Sequence, residues 1–161
     1  MTFDPNHAVV GCLIAFAVLS FLDGIVVHLW RERLHLRPES RVEHLLHTAR
    51  AVLFAPILFL FFGGAAPVLG LALIAVDQGV EIADMAIERR SRAFSGGLRS
   101  SEYVLHGALI TLRATGIAFA LAASQPSAAV HSLVNLLLPG AIVGAILHVV
   151  LMIPAPRRVR T

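Results

Sequence analysis

Eight of the ten acidic residues in this chain fall inside, or at the mouth of, segments apolar enough to span a bilayer. They are Asp23, Glu32, Glu43, Asp77, Glu81, Asp84, Glu88 and Glu102, and His28, His47 and His106 stand among them at helical spacing. An ionised carboxylate in hydrocarbon is costly unless it is paired, protonated or bound to a metal. Whatever the fold, it must gather these groups into a shared interior that satisfies them.

The background in which they sit is membrane-like. The chain is 57% hydrophobic, where a soluble domain is nearer roughly 45–50%, and its mean hydropathy is +0.80. Stretches close to the ~20 residues that cross a bilayer place helices at about 8–31, 41–62, 67–90, 101–123 and 128–153. The expectation is an all-α polytopic membrane protein, one helical domain over 1–161 with five transmembrane helices. Helix 1 does not read as a cleaved signal peptide. Its flank, MTFDPNH, has no basic residue, and its second half carries Asp23 and His28.

All thirteen basic residues are Arg. Arg31, Arg33, Arg37 and Arg41 flank the first loop, Arg89, Arg90, Arg92 and Arg99 the third, and Arg157, Arg158 and Arg160 end the chain. The turns 63–67 and 124–127 carry no charge. Five spans put every Arg cluster on one side, and the positive-inside rule makes that side the cytoplasm, with the N-terminus outside. In a bacterium the membrane would be the inner one. The pI of 10.4 then reflects topology and contact with anionic lipid. It does not point to nucleic acid, because these Arg stand at helix ends beside apolar spans. Cys12 is the only cysteine, which excludes an intramolecular disulfide, and it reads as a small apolar residue.

The chain also repeats itself. Glu43 to Ala49 reads EHLLHTA and Glu102 to Ala108 reads EYVLHGA. Upstream, HLWRER from His28 is matched by DMAIER from Asp84, each with a ligand-type residue four before Glu-Arg. Residues of about 8–62 and about 67–123 thus resemble two copies of one helical hairpin, with 128–153 as an added helix. Gly140 and Gly144 on that helix are spaced to pack against a neighbour or a second copy of the chain.

Residues four apart on a helix share a face. This joins His28 with Glu32, Glu43 with His47, and Glu102 with His106. Asp77, Glu81, Asp84 and Glu88 form a stripe about 16 Å long by helical rise. Equal distance from a turn sets Glu32 opposite Glu43, His28 opposite His47, Glu88 opposite Glu102 and Asp84 opposite His106, all in one layer inside the cytoplasmic face. The expected metal ligands are therefore His28, Glu32, Glu43, His47, Glu81, Asp84, Glu88, Glu102 and His106. The same counting levels Asp77 with Arg113 and brings Arg50 near Asp23 and Glu81. Asp23, Arg50, Asp77 and Arg113 are expected to support the site through ion pairs. Carboxylates with imidazoles suit Fe, Mn or Zn, and so many ligands suit two bridged ions. The expected cofactors are two divalent cations, with Fe first and Mn or Zn next.

The pattern over residues 23–106 resembles the ferritin-like di-iron and di-manganese carboxylate bundles, which carry a Glu on each of two helices and Glu-x-x-His on two others. It departs from them in placing Glu and His four apart, in adding His28 and Asp84, and in being transmembrane. The resemblance implies an O2-activating oxidoreductase of oxidase, hydroxylase or desaturase type, and the membrane setting a lipophilic substrate such as a quinol, acyl chain or isoprenoid. The alternatives are a divalent-metal transporter using the α-helical acid stripe, a haem protein with His47 and His106 as axial ligands, and a ligand-free scaffold. Other histidines read more plainly: His131 and His148 as hydrogen-bonding residues, His7 as interfacial, His35 and His44 as loop-proximal. Trp30 reads as an interface anchor and Phe59–Phe62 as lipid-facing.

Overall fold

Asp4 starts the first helix three residues ahead of the hydropathy estimate. Its Oδ1 accepts from the backbone N–H of Asn6 at 2.9 Å, and Pro5 takes the first helical position. From there α1 runs Pro5–Phe21 and continues unbroken as a π-helix, Leu22–Arg31. Short 3₁₀ turns lead to α2, Arg41–Ile57, which also passes into a π-helical end, Leu58–Phe62, just after Pro56. The other helices are α3, Pro67–Ser91, α4, Ser100–Ala123, and α5, Ala128–Met152. The computed structural model describes residues 3–153. Pro154, Arg157, Arg158 and Arg160 lie outside the described residues.

Four of the five helices are long and apolar enough to cross a membrane. The exception is α3. It has 25 residues, but any 18-residue stretch of it holds at least three carboxylates, above the two charges such a window tolerates. Its composition alone does not mark it as a span.

The closest packing does not follow the sequence hairpins. Helix α1 lies against α4, and α2 against α3 and α5, while α1 and α5 touch more lightly. The α2–α3 approach is close enough to require a glycine: a Cβ on Gly70 would stand 2.6 Å from the Cβ of Phe61. Phe61 and Phe62 are buried here, contrary to a lipid-facing role, while Phe59 is half exposed. They join Val9, Leu13, Ile57, Leu58, Val130 and Val134 in the apolar core. This core occupies one end of the bundle. The opposite end, where α1 and α3 finish and α2 and α4 begin, is polar. Among the described residues, buried polar and charged side chains outnumber buried hydrophobic ones sixteen to twelve. Large apolar side chains meanwhile cover the outside, as on α3 itself with Val68, Leu69, Val76, Ile82 and Met85. That inversion suits a hydrocarbon solvent.

Candidate metal centre

The buried polar end separates into three tiers. In the tier nearest the loops, the fully buried Glu43 accepts from Arg92 Nε at 2.8 and 3.1 Å. Arg92 also lies 3.3 Å from Glu102 and 3.7 Å from Glu32. Arg31 bridges Glu32 at 3.0 Å and Glu102 at 2.5 Å. The Ser91 hydroxyl donates to Glu43, and the Ser40 hydroxyl donates to the Ser91 carbonyl at 3.2 Å. Three expected ligands, Glu32, Glu43 and Glu102, are thus partly committed to guanidiniums. Sequence reasoning had placed Arg92 with the interfacial arginines. The signal was present, since Ser91 and Arg92 are the next helical steps of the stripe that ends at Glu88.

The deepest tier is an ion-pair lattice. Arg113 contacts both Asp77 and Glu81 and donates to Gln78 Oε1 at 2.7 Å. Arg50 reaches Glu81 at 2.8 Å and Asp77 at 3.5 Å. Glu81 further accepts from Gln78 at 3.0 Å. Glu81 is therefore placed with the supporting ion pairs rather than among the remaining candidate ligands.

Between these lies a tier of imidazoles and carboxylates. His28, fully buried, packs against His47 with ring centroids 3.9 Å apart, and the His106 ring lies 5.9 Å away. Asp23 is 3.5 Å from His28 Nδ1 and 3.2 Å from His106 Nε2. Glu88 is 3.3 Å from His106 Nδ1, and Asp84 is 3.2 Å from His47 Nε2. Asp84 meets His47 and not His106, because α3 packs on α2. Equal distance from a turn sets height, but not which neighbour a side chain meets.

Asp23 owes its central position to the π-helix. In an α-helix, residues five apart point about 140° away from each other. In Leu22–Arg31 the bonding runs i to i+5, as from Glu32 N–H to Val27 O at 2.8 Å, and Asp23 and His28 come onto one face. A spacing of five between two ligand-type residues in an apolar span was the available clue.

Among the described residues, two overlapping sets could hold an ion: Asp23 with His28 and His106, and His28 with Glu43 and His47. In each, one ligand atom per residue lies within 4.8 Å of the others. Both sets share His28. The hydrogen bonding also fits a cation. Neither ring nitrogen of His28 has a hydrogen-bond partner, nor does Asp84 Oδ1, all buried. Leaving such groups unmet costs about 1–3 kcal/mol apiece. The whole network holds eight carboxylates but only four guanidiniums, those of Arg31, Arg50, Arg92 and Arg113, an excess of acid that bound cations would offset.

On its inner side this tier borders a cavity of about 360 Å³ whose wall includes Asp23 and His47. His148, read from sequence as an ordinary hydrogen-bonding residue, is buried at the same place and stacks on His44 with centroids 5.6 Å apart. His131 does hydrogen-bond, to the Ser127 carbonyl at 2.9 Å. No family model matches the chain, and no curated protein or solved structure matches it significantly.

Proposed function

We propose that this protein is an integral membrane metalloprotein that holds two divalent cations in the middle tier and uses them to oxidise a lipophilic substrate with O2. The observation that carries the reading is the His28-centred tier, in which three imidazoles and three carboxylates meet, with Glu43 4.0 Å from His28 Nε2 at its edge. In this reading one ion takes Asp23, His28 and His106, and the other His28, Glu43 and His47. Asp84 and Glu88 complete or orient these ligands, as carboxylates behind metal-bound imidazoles do. Nitrogen and carboxylate donors favour iron first, and manganese or zinc next. Bound iron would supply O2 binding and electron transfer. The chain's own residues would hold the imidazole tautomers, shield the tier from water and neutralise charge on either side.

The neighbouring tiers bear on the alternatives. A transport path along the α3 stripe would have to pass the lattice that Arg50 and Arg113 make with Asp77 and Glu81. A haem held by His47 and His106 would crowd His28, whose ring centroid lies 3.9 Å from that of His47 and 5.9 Å from that of His106. In the proposed topology α3 crosses the membrane with its acids inward. The Arg-rich loops face the cytoplasm, and the tier lies one to two turns inside that face.

Elemental analysis of the detergent-purified chain tests the site. The expected outcome is about two Fe, Mn or Zn per chain. His28→Ala should lose both ions, whereas His106→Ala should keep one. Absence of stoichiometric metal in protein prepared without chelators would sink the proposal.

A further inference from the structure

The cavity beside the centre has a mostly apolar wall and one polar end. Its volume, about 360 Å³, falls in the ~300–1,000 Å³ range of small-molecule sites. Glycines make the space: Gly140 and Gly144 of α5 line it, and a Cβ on either would meet nothing within 4 Å. These are the residues whose spacing suggested helix–helix packing, yet within this chain they face an empty volume. Phe21 of α1 and Gly140 are both wall residues and both exposed, so the lightly packed α1–α5 seam is the cavity's opening toward lipid.

The polar end consists of Asp23, His47, Arg50, Asp77, Arg113 and His148. Its two cations are already neutralised, Arg50 and Arg113 by Asp77 and Glu81. An anionic head would therefore meet Asp23 without a free counter-charge. A hydroxyl or carbonyl head meets a better match. Nδ1 of His148, a residue only 4% exposed, has no hydrogen-bond partner, and Asp23 offers acceptor oxygens. His148 packs on α1 at Gly24, where a Cβ would stand in ordinary contact 3.5 Å from its Nε2.

We infer that the cavity binds a neutral amphiphile drawn sideways from the bilayer, with an apolar body along the α5 glycines and a hydroxyl-type head at His148 and Asp23. As a binding site it stands on the cavity alone. Its role as the substrate site rests on the two-metal reading, because Asp23 and His47 belong to both walls.

The test is photo-crosslinking of the full chain in nanodiscs with a diazirine-bearing long-chain alcohol, the matching carboxylic acid and the matching hydrocarbon, with metal content measured on the same samples. The alcohol should label peptides around 12–25 and 137–148, and exceed the acid and the hydrocarbon by about fivefold, the factor that one hydrogen bond confers. Gly144→Leu, which has room for its side chain, should abolish this labelling and leave the metal content unchanged. His148→Phe should remove only the preference for the alcohol. Equal labelling of wild type and Gly144→Leu, labelling spread over the lipid-facing surface, or a preference for the acid would each overturn the inference. Cavity labelling in a metal-free protein would uphold the binding site while the two-metal reading fails. Bound metal without cavity labelling would do the reverse.

Discussion

The two ends of this bundle are held together by different physics. At one end Val9, Leu13, Leu58, Val130 and Val134 interlock without a polar contact among them. In a bilayer, where lipid tails are as apolar as leucine, such a core gains chiefly from close van der Waals packing. At the other end most buried side chains are polar, charged or titratable, and several of the charged ones join two or three others. Arg92 alone answers Glu32, Glu43 and Glu102. Loss of a packing residue is graded by the volume removed. Loss of a charge leaves its partners buried and unmet, so damage at the polar end arrives in larger steps.

Substitutions can break that contrast or sharpen it, and the largest effect belongs to Arg92. Arg92→Met should destabilise the protein by about 3–5 kcal/mol, as removal of one member of a buried ionic network does. Unfolding in detergent would measure it, and a second change, Glu43→Gln, should restore part of the loss. Leu58→Ala, at a fully buried site, should cost about 2–5 kcal/mol; elemental analysis should find its metal content intact. Gly70→Ala forces a methyl onto Phe61 and should cost about 1–3 kcal/mol by overpacking, again with no change in metal. Val68→Ala, at an outward position 83% exposed, should stay within about 0.5 kcal/mol. If Leu58→Ala emptied the metal centre, or if Arg92→Met were as mild as Val68→Ala, the separation of the two ends would be false.

Much of the polar end could be read from spacing. Asp77, Glu81, Asp84 and Glu88 step by four, three and four, and all four are buried on one face of α3. Counting from the turns brings His28 to His47 and Asp77 to Arg113, and both contacts are present. What spacing could not give was helix register and partner choice. Asp23 joins His28 only because α1 changes its hydrogen bonding at Leu22. Asp84 turns to α2 because α3 packs there, through Gly70. Arg92 looked interfacial because it stands in an Arg-rich segment, yet it is 1% exposed. The cavity depends on side chains that are missing from α5, and an absent side chain leaves little pattern to read.

The π-helical stretch also bears on descent. Each hydrogen-bonded ring there encloses one residue more than in an α-helix. The gain of a single codon within an ordinary apolar span is thus enough to swing an aspartate round to a histidine five residues away. A juxtaposition of this kind can appear or vanish by the smallest in-frame change a gene admits, with the length and apolar character of the helix almost unaltered.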